Sequence, residues 1–440
     1  MSIEVSEVSS STPSVNSRQI SAAIVSSVLG WSLDLFDLFV LLYVAPVIGK
    51  LFFPSANATL SLASVYASFA VTLLMRPVGS GVFGSYADKH GRKKAMMIAI
   101  VGVGIFTALL GALPTVHQVG VLAPILFLVL RLVQGVFVGG VVASTHTIGT
   151  ETVPPKWRGL MSGLIGGGGA GIGSLIASVI YWILVSIFPG SAFNVWGWRF
   201  MFFSALLSAV LGLFIFNSLE ESPFWLSATS DSAKAVKAPV RMVFSKRYLP
   251  TLIINLMVVI GGGSGYYLTS GYLPTFLKVI NKSISESERS EILIFASIII
   301  VFAAVLVGQL SEYIGRKKTF MVFGLIGLVG LPLLYHGLAG AHTFVAVTLY
   351  ALVLSFIGNA AYAPVLIFLN ERFPTEIRST GTGLSWNMGF AIGGMMPTFV
   401  TLSSGTVSNI PTSLGWFIGV IFLVYVIGSF IIPETKGRFA

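Results

Sequence analysis

The chain has 440 residues, of which 55% are hydrophobic and only 10% charged. That balance excludes an ordinary soluble globular domain and predicts a polytopic helical membrane protein. The formal charge of +10 does not indicate nucleic acid binding, because most Lys and Arg lie in short segments between apolar runs. With no cysteine, disulfides, a thiol nucleophile and Cys-based metal sites are excluded.

Residues 1–19 form a Ser-rich tail with Glu4, Glu7 and Arg18. It lacks the basic-then-apolar pattern of a cleaved signal peptide, so the first apolar run is expected to remain as a span. Twelve apolar segments follow, near 20–50, 59–86, 95–115, 120–149, 159–188 and 197–218, then 248–277, 290–313, 319–339, 342–369, 379–404 and 411–432. Each reaches the ~20 residues a bilayer crossing needs. The connections alternate in charge. Lys89, Arg92, Lys93, Lys94, Lys156, Arg158, the cations of 234–247, Arg316, Lys317, Lys318, Arg372, Arg378, Lys436 and Arg438 share one side. The positive-inside rule makes that side cytoplasmic and places both termini there, in agreement with an even number of spans.

The first segment contains Trp31-Ser-Leu-Asp34-Leu-Phe-Asp37-Leu-Phe-Val40. Helical spacing puts Asp34 and Asp37 on one face. A charge at mid-bilayer costs at least ~2.5–3.5 kcal/mol, so two together call for a reason. Either they line a watered pathway and carry protons, or buried cations neutralise them in a structural ion-pair site.

The chain repeats itself. Gly84-Ser-Tyr-Ala-Asp88-Lys-His-Gly91-Arg92-Lys-Lys94 returns as Gly308-Gln-Leu-Ser-Glu312-Tyr-Ile-Gly315-Arg316-Lys-Lys318. Glu151-Thr-Val-Pro-Pro-Lys-Trp-Arg158 returns as Glu371-Arg-Phe-Pro-Thr-Glu-Ile-Arg378. Both repeats lie roughly half the chain apart, which predicts two pseudo-symmetric six-helix bundles in parallel arrangement. The expected divisions are a cytoplasmic tail at 1–19, a bundle at 20–219, a polar cytoplasmic linker at 220–247, a second bundle at 248–433 and a tail at 434–440. In each repeated loop the glycine permits a tight turn and the acid pairs with an Arg or a helix N-terminus. Asp88, Gly91, Arg92, Glu151 and Arg158, with Glu312, Gly315, Arg316, Glu371 and Arg378, therefore form a candidate cytoplasmic gate. The alternative is that the basic residues only set topology.

The two repeated loops resemble the signature of the major facilitator superfamily. So do Arg131-Leu-Val-Gln134-Gly135, Glu151 to Gly159, Leu219-Glu-Glu-Ser-Pro-Phe-Trp-Leu226 and Pro433-Glu-Thr-Lys436. Within it, the first-helix motif, Met75-Arg76-Pro77-Val-Gly79, Tyr266-Tyr267, Gly271-Tyr-Leu-Pro274 and Leu384-Ser-Trp386-Asn387-Met-Gly389 resemble the proton-coupled metabolite, sialate and lactate symporters. The resemblance implies an all-α integral membrane protein of twelve transmembrane helices in the inner or plasma membrane. It implies a secondary transporter acting by alternating access as a monomer, with no cofactor and the proton as coupling ion.

Among the acids only Asp34 and Asp37 fall deep in an apolar segment, and among the bases only Arg76 and Arg131 do. Depths along the helices, at ~1.5 Å per residue, pair Asp37 with Arg131 and Asp34 with Arg76. Asp34 and Asp37 are the proton-coupling candidates, and Arg76, Arg131 and Gln134 the partners of substrate or acid. A guanidinium matches a carboxylate bidentately, so either Arg also suits an anionic substrate. The second half offers neutral candidates for substrate contact: Tyr266, Tyr267, Asn359, Tyr362, Trp386 and Asn387. The glycines from Gly166 to Gly173 read as close helix packing rather than a phosphate loop. Asn57-Ala-Thr and Asn281-Lys-Ser match the glycosylation acceptor pattern.

These readings favour proton-coupled import of a small organic anion such as a monocarboxylate, dicarboxylate or sugar acid. Proton-coupled symport of a sugar, phosphate or a zwitterion such as betaine, facilitated uniport, and a sensor or scaffold that kept the fold remain open. An enzyme is not expected: no Ser-His-Asp arrangement, metal-ligand set or nucleotide loop occurs in the sequence.

Overall fold

The computed structural model describes residues 17–90, 92–151, 153–218, 239–374 and 377–438, and among them all regular structure is helical. Twelve long helical bodies follow the twelve expected segments in order. In the first half they are α1 (Ser17–Phe52), α2 (Ala58–His90), α3 (Arg92–Ala112), α4 (Leu122–Glu151), α5 (Arg158–Ile187) and α6 (Phe193–Phe214). In the second they are α7 (Leu249–Val279), α8 (Glu286–Ile314), α9 (Arg316–Ala339), α10 (Phe344–Arg372), α11 (Arg378–Ser404) and α12 (Ile410–Ile431). Eleven are long and apolar enough to cross a membrane. The exception is α11, which has 27 residues but is diluted by Gly, Ser and Thr. Its polar side chains turn inward, with Ser385, Asn387 and Thr401 buried.

Local signals account for the ends. Ser285 caps α8 through a capping box, its hydroxyl accepting from the Glu288 amide while the Glu288 carboxylate accepts from the Ser285 amide at 2.8 Å. Gly315 stops α8 and starts α9 with φ +96°, a conformation that favours glycine.

The halves meet along α2 with α11 and along α5 with α8. At Gly163 an added Cβ would collide with the Ala304 carbonyl of α8, and at Gly171 it would lie 2.6 Å from Val301. On the opposite side of α5, a Cβ at Gly173 would lie 2.5 Å from the Ser32 carbonyl of α1. The glycine run is therefore a close-packing surface on both sides, as its composition predicts.

Three details go beyond the sequence reading. A short helix at Pro239–Val243 stands within the predicted linker, with Val243 buried beside Leu252, Phe373 and Ile377. Thr435, in the segment expected as a tail, is buried and donates its hydroxyl to Glu371 at 2.7 Å. Asn281 is no glycosylation acceptor in this fold: its amide is buried and donates to the carbonyls of Leu338 at 2.8 Å and Ala341 at 3.1 Å.

Candidate functional site

Three bodies of the first half bring the intramembrane charges together. Asp34 and Asp37 come from α1, Arg76 from α2, and Arg131 and Gln134 from α4; all five are buried. Arg76 Nη2 lies 3.4 Å from Asp34 Oδ2, the pair expected from helix depth. The other expected pair is not direct. Gln134 Nε2 donates to Asp37 Oδ2 at 2.5 Å, and Gln134 Oε1 accepts from Arg131 Nη1 at 2.5 Å. Among the described residues no ion pair joins Asp37 to Arg131. Gln134 follows Arg131 by three residues, so its amide stands on the same helical face and fills the gap. A neutral amide can donate to an acid and accept from a guanidinium at once. Gln134 Nε2 also reaches Thr107 Oγ1 of α3 at 2.5 Å, a residue the sequence reading missed.

Neither set is saturated. Asp34 Oδ1, Asp37 Oδ1, Arg76 Nε and Arg131 Nε are buried without a hydrogen-bond partner. A desolvated charged atom left in this way costs several kcal/mol, so these atoms are where a proton or a polar ligand is best accommodated.

Facing the charges is a continuous cluster of rings. Tyr266 and Tyr267 of α7 lie 5.1 Å apart by centroid, and Tyr266 stacks with Tyr362 of α10 at 5.8 Å. Tyr362 meets Trp386 of α11 at 5.5 Å, and Trp386 stacks on Phe390 at 4.5 Å. Trp31 of α1 closes the cluster edge-on to Trp386 at 6.0 Å. Its indole Nε1 donates to the Gly166 carbonyl at 3.0 Å, which is turned aside by a π-helical turn at Leu164–Gly168. A second such turn, Tyr267–Gly271, interrupts α7. Wide turns of this kind recur at functional positions because they free backbone groups from the helical ladder. Tyr267 lies within electrostatic reach of both Asp34 and Arg76, which joins the ring cluster to the first ion pair.

Of the six neutral candidates, Tyr266, Tyr267, Tyr362 and Trp386 thus share one cluster. The Tyr266 hydroxyl and Asn387 Oδ1 are buried and unpartnered. Asn359 is engaged through its Nδ2, which donates to Ser270 Oγ and the Ser355 carbonyl at 2.8 Å each and braces α10 against α7, while its Oδ1 is buried and unpartnered. Trp31 and Phe390 were not anticipated, although each had a helical signal: Trp31 precedes Asp34 by three residues and Phe390 follows Trp386 by four.

At one end of the bundles Arg316 is the hub. Its Nη2 lies 2.6 Å from Glu312 Oε1 and 3.0 Å from Glu371 Oε1, and its Nε donates to Glu371 Oε2 at 3.2 Å. Glu312 also crosses to the first half, accepting from the Gly159 amide at 2.6 Å. Nearby, the Ile367 amide donates to Ser162 Oγ at 2.9 Å, again between halves. Arg158 borders the same cleft as Glu312, Arg316 and Glu371. Gly91 and the side chains of Asp88, Arg92, Glu151 and Arg378 lie outside the described residues, so the first-half counterpart of this cluster is known only from sequence.

Comparison with known proteins fits this architecture. The sequence profile of the Major Facilitator Superfamily matches residues 20–398. The chain belongs to the major facilitator superfamily. Within the superfamily it is 29% identical over 434 residues to the glycine betaine/proline/ectoine/pipecolic acid transporter OusA of Dickeya dadantii, covering 96% of this chain and 85% of that one. It is 28% identical, with the same coverage, to the proline/betaine transporter of Escherichia coli strain K12. Among solved structures, the proton:xylose symporter XylE bound to 6-bromo-6-deoxy-D-glucose superposes with a TM-score of 0.73 at 19% identity, over 96% of this chain and 98% of XylE. The likeness to XylE shows the fold. This superfamily member is a multi-pass secondary transporter of a small molecule and not an enzyme.

Proposed function

We propose that this transporter is a proton-coupled symporter of a small zwitterion, a compact ammonium bearing a carboxylate, of the betaine or proline type. The observation that carries the reading is the ring cluster of Trp31, Tyr266, Tyr267, Tyr362, Trp386 and Phe390 set against the Asp34–Arg76 pair. A quaternary ammonium cannot donate hydrogen bonds and is best held by aromatic faces. Its carboxylate meets the fork of Arg76, whose Nε is unpartnered, while its positive charge meets Asp34, whose Oδ1 is unpartnered. A zwitterion exchanges one buried pair for two and adds no net charge to a site where uncompensated charge is expensive. The names of the relatives point the same way.

In this reading Asp37 carries the proton. Its carboxylate meets the neutral groups of Gln134 and Thr107 and has no cation at ion-pair distance among the described residues, so its charge is less compensated than that of Asp34. Movement of α4 against α1 alters the Gln134 relay and with it the proton affinity of Asp37. Alternating access then requires the Glu312–Gly159 and Ser162–Ile367 bonds to part when the cytoplasmic side opens.

The test is uptake by proteoliposomes under an inward proton gradient, with betaine, proline, lactate and xylose compared. Accumulation of betaine or proline, abolished by a protonophore, is the expected result. Accumulation of lactate without either zwitterion would return the organic-anion reading, and gradient-independent equilibration would make the chain a uniporter.

A further inference from the structure

The outer rim is closed by contacts of two kinds. On one side, Asn57 Nδ2 and Thr59 Oγ1 donate to the Gly405 carbonyl at 3.1 and 3.0 Å. On the other, the Tyr181 hydroxyl of α5 donates to Glu286 Oε2 of α8 at 2.7 Å. Glu286 Oε1 lies 3.3 Å from Lys278 Nζ and 3.6 Å from Arg289 Nη2. Beside this second contact is a cavity of about 130 Å³, bordered by Pro46, Lys50, Phe188, Phe193, Lys278 and Glu286.

The charge around that cavity does not balance. Lys50, Lys278 and Arg289 are served by one carboxylate, Glu286, whose two oxygens are already engaged by Tyr181, Lys278 and Arg289. Lys50 lies within electrostatic reach of Lys278, and among the described residues it has no carboxylate at ion-pair distance. Two like charges from opposite halves therefore face one space. A positive mouth walled by low-dielectric groups concentrates small anions. Phe188 and Phe193 supply apolar wall, and the Lys278 ammonium lies 5.7 Å from the Phe193 ring centroid.

We propose that this cavity is an outer reception site for a small carboxylate, held between the Lys50 ammonium of the first half and the Lys278 ammonium of the second. The apolar remainder of the solute rests on Phe188 and Phe193. The site receives the cargo before the ring cluster does and raises its concentration at the entrance. This rests on the reading that the cargo bears a carboxylate, whether zwitterion or organic anion.

The probe is carbon-13 acetate, titrated by NMR into the purified transporter in nanodiscs. The central site is disabled by Asp34→Asn with Arg76→Gln. Acetate binding is expected to persist there, to weaken at least tenfold on adding Lys50→Gln, and to return with Lys50→Arg. Binding lost with the central variant, or indifferent to Lys50→Gln, overturns the outer site. Lys50 is exposed at a helix end, so the same Lys50→Gln comparison in the otherwise unchanged protein decides the matter if the central variant does not fold. In transport, Lys50→Gln raises KM with kcat preserved; an equal fall in kcat counts against a reception role. Lys50-dependent acetate binding in a protein that moves no carboxylate-bearing solute would sink the functional reading and leave the site standing.

Discussion

The interiors of the two halves are built from different chemistry. The first holds two acids, two guanidiniums and a bridging amide; the second, away from the rim around Arg316, holds rings, hydroxyls and amides and, among the described residues, no buried charge. The contrast matters because the folds are alike while the electrostatic costs are not. Charges placed in one half can neutralise one another without depending on the other half, so their pairing survives when the halves rock. Aromatic faces attract a cation without presenting a fixed hydrogen-bond geometry. In the proposed mechanism the first half handles the proton and the second shapes the cargo.

That division can be broken at its strongest point by Asp37→Asn. Concentrative uptake under a proton gradient should vanish, while exchange of labelled for unlabelled solute continues; full accumulation by the variant would remove Asp37 from coupling. Next comes Trp386→Ala on the opposite side. Loss of an indole face worth ~2 kcal/mol for a desolvated cation should raise KM some tenfold or more, with the accumulation ratio at saturation unchanged. A collapsed ratio instead would show that coupling is shared between the halves. Smaller in effect is Gln134→Leu, which strands one oxygen of Asp37 and one nitrogen of Arg131. Unmade buried bonds of this kind cost ~1–3 kcal/mol, visible as a lowered midpoint in thermal unfolding. A midpoint equal to that of the parent would mean that the two charges reach each other unaided. The least is Gly315→Ala, where the left-handed backbone costs ~1–2 kcal/mol and a Cβ would press on the Glu434 carboxylate. The same unfolding assay reads it, and an unshifted midpoint would mean that the α8–α9 turn tolerates a side chain.

Much of this was legible in the sequence, for identifiable reasons. Twelve apolar runs and the duplicated loops report bilayer thickness and gene-level repetition, both one-dimensional signals. Asp34 with Arg76 was recoverable because helix rise converts residue number into depth. The same ruler failed for Asp37 and Arg131, since depth says nothing of lateral distance, and a side chain one turn away, Gln134, had room to intervene. Asn359 was favoured because a buried amide needs partners; its nitrogen finds them in Ser270 and Ser355, and its oxygen is left unpartnered, a division sequence could not foresee. The ring cluster was half visible: only Trp386 and Phe390 stand a helical turn apart, and the convergence of the rest depends on how four helices cross. The burial of Thr435 and Asn281 was not legible, because composition alone does not say which polar residues near a loop or the last helix fold back onto the bundle.

The carboxylate of Glu434 accepts from the amides of Arg316 and Lys317 at 2.9 and 3.2 Å, at the start of α9. Anions are stabilised at that end of a helix, and Arg316 is also the residue that holds Glu312 and Glu371. The final residues therefore behave as a keystone rather than a loose end. A chain stopped at Pro433 would lose the cap that seats Arg316, and expression designs that trim or crowd this segment disturb the brace on Glu312 and Glu371 at its root.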